Sequence, residues 1–206
     1  MQTLKENVLQ RILLTARKEF ISQGVKDASI RTIASKANVS VGTIYKYFRS
    51  KDELFCAVLQ PLLTKLNRHM HSHNDERFLN LEVFTSPSLS IDYLNQTVSL
   101  VKTFRPELKL LLFQAAGTSL DRYLERILAE QIKIGEEYLS IMKSRWPHID
   151  AQLSPFFIHI LCSTWTNILR ELVLHDEFSD SEIKQALIQY AHFSLAGWKE
   201  LLKPFK

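Results

Sequence analysis

The chain has 206 residues, of which 46% are hydrophobic and 23% charged, and its net charge is +4. These proportions are typical of a folded globular protein and exclude wholesale disorder. Five glycines and six prolines are too few for the many turns of an all-β chain, and the abundance of Leu, Ile, Ala, Glu, Lys and Gln favours an all-α protein.

The positive charge is concentrated near the N-terminus. Residues 1–55 contain ten Lys and Arg against five Asp and Glu, whereas residues 56–206 contain sixteen against seventeen. This imbalance favours a polyanionic partner for the basic part, although a solvated helical surface could carry the same charge. Cys56 and Cys162 fit no metal or redox spacing, and the chain starts without an apolar signal sequence. We therefore expect a cytoplasmic protein without cofactor, metal or membrane span, since polar residues interrupt the uncharged run at 151–169.

Four helices are predicted in the first part of the chain. The first covers about residues 3–23 and ends at Gly24. The next three each follow a serine whose hydroxyl can accept a hydrogen bond from free backbone N–H groups, namely Ser29, Ser40 and Ser50. Such regular capping predicts short helices at about 30–37 and 41–48, and a longer one after Ser50.

The third predicted helix has the dimensions and side chains of a DNA-reading helix. Two helical turns are about 12 Å long, which matches the width of the B-DNA major groove. Ile44 and Phe48 are four residues apart and should face the protein, which leaves the other side chains exposed or lateral. Gly42 permits a close approach of the DNA backbone, Thr43 can contact a base edge, and tyrosine and lysine side chains can reach phosphates.

Further helices are predicted through the rest of the chain. The fourth helix passes Pro61, which we expect to kink or interrupt it, and fades within residues 69–76. After a looser connection at 75–88, five helices are expected at about 89–104, 106–117, 119–145, 155–175 and 179–203. The predicted fold is therefore all-α, with about nine helices.

Four motifs in the first sixty residues form a recognisable set. They are F-x-x-x-G at the end of the first helix, I-x-x-I-A in the second, V-S-x-G-T-I-Y-x-Y-F across the third and S-K-D-E-L at the start of the fourth. With these motifs, residues 11–59 resemble the DNA-binding domain of the TetR family of bacterial transcriptional regulators. Asn38 stands where the family usually has glycine, and we expect asparagine to make the same left-handed turn.

The resemblance implies a domain organisation and a function. A three-helix helix-turn-helix domain would occupy residues 1–55, with the motif at about 29–48, and a larger helical regulatory and dimerisation domain would occupy 56–206. The protein would be a homodimer that binds a palindromic operator in double-stranded DNA. It would act as a repressor or, alternatively, an activator, and a small hydrophobic effector would release it.

Residues of the second, third and fourth helices are the implied DNA contacts. They are Ser29, Arg31, Ser40, Val41, Gly42, Thr43, Tyr45, Lys46, Tyr47 and Lys51. Lys51 lies in the first turn of its helix, where the helix dipole disfavours a cation. A DNA phosphate shared with the helix N-terminus would explain it, and a solvated lysine is the alternative.

Two sets of residues in the larger domain are assigned to a ligand pocket and a dimer interface. The expected pocket residues are Phe84, Phe104, Phe113, Gln114, Thr118, Tyr138, Phe156 and Trp165. The expected interface residues, on the last two helices, are Thr164, Ile168, Leu187, Tyr190, Ala191, Ser194, Gly197 and Trp198. Ordinary intrachain core is the alternative for both sets. His69 and His73 could share a metal, but we favour a solvated linker.

Two other classes of function were weighed against a regulator. A small helical enzyme is disfavoured, because the sequence has no Gly-rich phosphate loop, no H-E-x-x-H and no G-x-S-x-G motif. The other alternative is an adaptor that binds a protein in place of a small molecule. A small or filled pocket would favour that adaptor.

Overall fold

The computed structural model describes the backbone of residues 2–203 and the side chains of residues 5–203. Over this range it contains α-helices and short 3-10 turns and no strand, so the all-α prediction is confirmed. The helices are α1 Gln2–Asp27, α2 Ile30–Lys36, α3 Val41–Tyr47, α4 Lys51–His71, α5 Pro87–Phe113, α6 Tyr123–Arg145, α7 Pro155–Leu174 and α8 Asp180–Leu202. Three 3-10 turns, Ser72–Asn74, Glu76–Phe78 and Leu81–Phe84, lie between α4 and α5.

The chain divides into two compact units. The first extends to Thr64 and also contains Phe104–Tyr123, while the second contains Lys65–Thr103 and resumes at Leu124. The domain boundary predicted from the sequence lies between residues 55 and 56. In the structure the first part of α4 stays with the first unit, because apolar α4 side chains as far as Leu62 are fully buried there.

The first unit is built on the apolar faces of α1 to α4. Ile12 and Phe20 of α1 are fully buried, and the Phe20 ring meets Phe55 of α4 edge-on, with centroids 5.3 Å apart. Ile44 of α3 is 1% exposed, as its spacing predicted. Burial of each such side chain contributes about 1.5–3 kcal/mol, so the inner face of α3 helps to hold this helix to the unit.

The turn between α2 and α3 depends on one residue. Asn38 has a φ of 51°, in the left-handed region, so asparagine makes the turn as expected. Ser40 then caps α3, accepting a hydrogen bond from Thr43 N at 3.1 Å. Ser50 caps α4 in the same way, with Glu53 N at 3.0 Å. Ser29 precedes α2 with an extended backbone but makes no capping bond through its side chain.

Two prolines lie inside helices. The helix α4 runs through Pro61 without interruption, so of the predicted kink or interruption the interruption does not occur. Only one backbone bond is lost at a proline, and the neighbouring Leu59 and Leu62 are fully buried, so packing holds the helix together. Near Pro106 two separate helices were expected, at 89–104 and 106–117. They form one element instead, α5, which has non-helical backbone angles at Phe104. One merged helix accounts for eight α-helices over residues 2–203, where about nine were expected.

The second unit is organised around two hydrophobic clusters. The larger includes Phe78 from a 3-10 turn, Tyr138 and Met142 from α6, and Ile158 from α7. The smaller joins Leu94 of α5 to Leu187 and Ala191 of α8. The helix α8 begins with the predicted capping box between Ser179 and Glu182. The predicted helix at 119–145 begins at Tyr123 instead.

Candidate functional site

The outer surface of α3 carries exposed polar and aromatic side chains. Tyr45 is 51% exposed, and Gly42 and Lys46 are also exposed. Val41 and Thr43 are half-buried, and the Thr43 hydroxyl lies 2.9 Å from the Ser40 hydroxyl. Because Ile44 faces inward between them, the helix presents one continuous outer face to solvent.

On α2 the two predicted contact residues differ in accessibility. Arg31 is exposed, and Ser29 is half-buried. The arginine is therefore available to an anion near the start of α2. Together, Arg31 and the outer residues of α3 form what we call the recognition surface: Arg31, Ser40, Gly42, Thr43, Tyr45 and Lys46.

Two of the predicted DNA contacts are already engaged within the protein. The Lys51 ammonium donates to the backbone carbonyls of Lys26, at 2.9 Å, and Ala28, at 3.1 Å. The Tyr47 hydroxyl donates to the Lys5 carbonyl at 3.2 Å. Lys51 therefore ties the start of α4 to the end of α1, an arrangement that explains a cation at an unfavourable dipole position without any phosphate. Sequence spacing cannot predict this contact, because the two ends of the bond are far apart in the chain.

The second unit contains a cavity of about 280 Å³. Its wall comes from α4 to α8 and the 3-10 turns: Met70, His73, Phe78, Val83, Phe84, Ser90, Tyr93, Leu94, Gln131, Ile134, Gly135, Tyr138, Leu139, Ile158, Leu161, Cys162, Trp165, Tyr190, Ala191, Ser194, Leu195 and Trp198. An apolar wall with a few polar groups is the usual form of a small-molecule site. None of these residues is Lys, Arg, Asp or Glu.

Only three of the eight predicted pocket residues line this cavity. Phe84, Tyr138 and Trp165 do so. Four others belong to the first unit: Phe104, Phe113, Gln114 and Thr118. Phe156 is 71% exposed on α7. The chain passes from the second unit to the first at Phe104, so the apolar residues just beyond Phe104 belong to the first unit. Hydrophobic periodicity does not show where a chain passes from one unit to another.

Two histidines that the sequence assigned to a solvated linker are packed among aromatic rings, which corrects that interpretation. His69 Nε2 lies 2.8 Å from the Thr97 hydroxyl, and its ring stacks on Tyr93 with centroids 4.3 Å apart. Burial lowers the pKa of His69 to about 4. His73 is exposed and lines the cavity, and desolvation by the surrounding protein lowers the pKa of its ring, which the hydrogen bond with Asn74 partly offsets. No group of three or more metal-ligating side chains occurs within the described chain.

The titratable groups of the cavity wall are uncharged at neutral pH. Burial raises the pKa of the Tyr93, Tyr138 and Tyr190 hydroxyls. Burial, with a smaller effect from Glu136, raises the pKa of the Cys162 thiol. Together with a neutral His73, these shifts leave a wall that offers hydrogen bonds but no charge.

The predicted dimer residues are distributed over several environments. Leu187 and Ala191 are buried in the smaller cluster, against which Ile168 also packs. Tyr190, Ser194 and Trp198 line the cavity. Only Thr164 and Gly197 are exposed, and a Cβ atom at Gly197 would meet nothing within 4 Å.

A different apolar face is left on α7 and α8. Phe156, Ile160 and Phe193 are 71%, 44% and 76% exposed. Leu201 is 38% exposed near the end of α8. This outer face, which we define by Phe156, Ile160, Phe193 and Leu201, was not predicted from the sequence.

Comparison with known proteins identifies the first unit. Residues 12–58 match the sequence profile of the bacterial regulatory proteins of the tetR family. This segment is therefore similar to the N-terminal domain of TetR-family proteins. An HTH-type transcriptional repressor of Mycobacterium tuberculosis is 42% identical over 72 residues, which cover 35% of this chain and 38% of the relative. The chain thus matches less than half of that relative's length.

Solved TetR-like structures extend the likeness to most of the chain. A TetR-like transcriptional regulator from Rhodococcus sp. RHA1 matches with a TM-score of 0.63 and 21% identity, over 91% of this chain and 95% of that one. The transcriptional regulator FadR from Bacillus subtilis, in complex with stearoyl-CoA, gives 0.60 and 17% over the same shares. At these identities the likeness establishes the fold. No helix of residues 2–203 is long and apolar enough to cross a membrane.

Proposed function

We propose that the protein is a DNA-binding transcriptional regulator of the cytoplasm, not an enzyme. As a homodimer it would repress transcription from a palindromic operator until a small apolar molecule releases it. The observation that carries this proposal is the recognition surface, held outward by a buried Ile44 within a TetR-family segment. The repressor named among its relatives supports the direction of control.

The recognition surface has the groups needed to read a duplex. Arg31 and Lys46 are exposed cations that can neutralise phosphates, and the exposed Tyr45 can reach sugars or a thymine methyl. Gly42 has no Cβ, and the nearest heavy atom to one placed there would be Ser40 Oγ at 3.8 Å. That open surface favours a close approach by the DNA backbone.

The outer apolar face of α7 and α8 supports the homodimer. Phe156 and Phe193 together expose two large aromatic rings, which is unusual for a surface that stays in water. Two copies of such a face can pair about a two-fold axis and form a four-helix bundle. Two-fold symmetry would in turn match a palindromic operator.

The cavity favours a small-molecule effector over a protein partner. A volume of about 280 Å³ lined by aromatic and aliphatic side chains suits a compact ligand, whereas an adaptor needs no cavity. Met70 of α4 lines this cavity, and Lys51 at the other end of the same helix contacts the loop before α2. We propose α4 as the element through which effector binding alters DNA binding.

Fluorescence anisotropy with the DNA just upstream of the protein's own gene tests the proposal. Nanomolar affinity with a clear preference over a scrambled duplex is expected, and the affinity should fall as salt rises. Weak binding that ignores sequence would count against autoregulation. A selection of bound fragments from the whole genome would then show whether the protein reads another operator or none.

A further inference from the structure

One polar point of the cavity wall has a defined hydrogen-bonding direction. Asn74 Nδ2 donates to the backbone carbonyl of Ile134 at 3.2 Å. Because a carbonyl can only accept, the amide nitrogen of Asn74 must face Ile134 and its amide oxygen must face His73 Nδ1, 3.3 Å away. Nδ1 therefore carries the ring proton and donates it to Asn74. In a neutral imidazole this leaves Nε2 as an acceptor.

The acceptor at Nε2 is unused within the protein. No hydrogen bond to His73 Nε2 is made by any residue of the described chain, and His73 lines the cavity. The two neighbouring phenols do not donate to Nε2, because their hydroxyl protons are already used in other hydrogen bonds. The Tyr138 hydroxyl donates to the Phe78 carbonyl at 3.0 Å, and the Tyr93 hydroxyl donates to the His69 carbonyl at 3.4 Å.

The other residues of the cavity wall disfavour charged ligands and favour ligands that contain aromatic rings. A carboxylate or phosphate entering the cavity would lose its hydration without gaining a cation, since no Lys or Arg lines it. Aromatic side chains supply much of the lining, with the Tyr93 and Trp165 centroids 5.6 Å apart and the His73 and Tyr138 centroids 4.8 Å apart. Such surfaces favour edge or face contacts with another ring.

Resting on the function proposed above, we propose that the effector is an uncharged ring compound that carries a hydroxyl group, whose O–H donates to Nε2 of His73. The donor satisfies the unused acceptor at Nε2 of His73. The apolar rings hold the rest of the molecule. Acidic effectors, including free carboxylates and phosphate esters, are excluded by the uncharged wall.

Three naphthalene probes of matched shape test this assignment by calorimetry on the full chain without DNA. They are 2-naphthol, which has the donor, 2-methoxynaphthalene, which lacks it, and 2-naphthoate, which is charged. We expect 2-naphthol to bind about five- to tenfold more tightly than the methyl ether, as for one neutral hydrogen bond. The naphthoate should give no measurable heat of binding.

Two variants separate the hydrogen bond from general packing. In His73→Phe the ring remains but the acceptor is lost, so 2-naphthol and its methyl ether should bind equally. In the control His71→Gln, on the exposed surface of α4, the preference for 2-naphthol should be unchanged. Nitrogen NMR of the wild-type protein gives a check that needs no variant: Nε2 of His73 should be unprotonated and should shift on addition of 2-naphthol.

Each contrary result would overturn the assignment. Absence of 2-naphthol binding would do so, as would naphthoate binding of equal strength or a donor preference that survives in a folded His73→Phe protein. The proposed function fails separately, through the anisotropy experiment without any probe. If the calorimetric order holds but the protein ignores DNA, the ligand class stands and the regulatory role does not.

Discussion

Lys51 matches a family motif, but in the structure it has a role within the protein that the motif does not indicate. Its ammonium is bonded to the carbonyls of Lys26 and Ala28, so it joins α4 to the end of α1. A phosphate contact was the sequence-based expectation. The structure adds an intramolecular role, and the two roles have different experimental signatures.

Replacing Lys51 with Met should lower the free energy of unfolding by about 1 kcal/mol, because two charge-assisted hydrogen bonds are lost at a partly exposed site. Urea denaturation measures this change. The control Lys46→Met removes an exposed cation and should leave the free energy of unfolding unchanged. It should reduce the salt dependence of DNA binding by about the amount expected for one phosphate contact. If Lys51→Met altered only the salt dependence, the phosphate role would be the correct one.

His69 should make the stability of the protein depend on pH. Its pKa is lowered from 6.5 to about 4 in the folded protein, so the unfolded chain binds the proton more readily. The contribution of the neutral ring is complete above pH 6.5 and is lost progressively as the pH falls towards 4. Between pH 7.5 and 5 the loss should be about 2 kcal/mol.

Urea unfolding of His69→Gln measures this effect. The variant should be less stable at pH 7.5, since it loses the contact with Thr97, but its stability should change less between pH 7.5 and 5. His71→Gln, two residues away and exposed, is the matched control and should keep the wild-type slope. An unaltered slope in His69→Gln would place the pH dependence elsewhere.

At the scale of single elements, α3 shows a conflict between helix stability and the proposed recognition of DNA. Gly42 lies in its first turn, where alanine would be the better helix former and would fit without a clash. Gly42→Ala should therefore raise the free energy of unfolding by about 0.5 kcal/mol. The added methyl group should also weaken operator binding about tenfold, if the DNA backbone approaches this position.

Opposite changes in stability and affinity are the informative result. Thermal unfolding and anisotropy on the same preparation measure both. A variant that became more stable and bound DNA normally would show that DNA does not approach Gly42. Leu14→Ala, at an exposed position of α1 outside the recognition surface, is the control for affinity and should bind DNA as the wild type does.

At the scale of the whole molecule, the outer face of α7 and α8 determines the expected state of association. Phe193 is 76% exposed, and a charge at its position would be desolvated in a dimer but harmless in a monomer. Phe193→Glu should convert the dimer to a monomer in sedimentation and weaken operator binding with it. Leu14→Glu, at a position 60% exposed on α1, should leave the dimer intact. A dimeric Phe193→Glu protein would require another interface.

The sequence predicted local structure better than it predicted partnership between distant segments. The caps at Ser40 and Ser50, the left-handed Asn38 and the inward-facing Ile44 depend on a few neighbouring residues, and the structure confirms them. The match to the TetR family profile also lies in one continuous stretch, residues 12–58. The caps, the turn and the buried isoleucine each depend on residues within one or two helical turns of each other.

Features that depend on long-range packing were predicted poorly. Whether an apolar residue of α5 faces the cavity depends on the change of unit at Phe104, which periodicity does not signal. His73 lies in a 3-10 turn and lines the cavity, whereas the sequence predicted only a loose connection after α4. Likewise, Leu187 and Ala191 have the pattern of an interface, but the chain buries them in its own core.

The cavity in the second unit also makes the protein sensitive to hydrostatic pressure. Unfolding eliminates internal voids and so decreases the volume of the system, to an extent that scales with the void. A ligand that fills this cavity of about 280 Å³ should therefore raise the pressure at which the protein unfolds. A molecule that fills the space would protect the fold against compression, whether or not it also changes DNA binding.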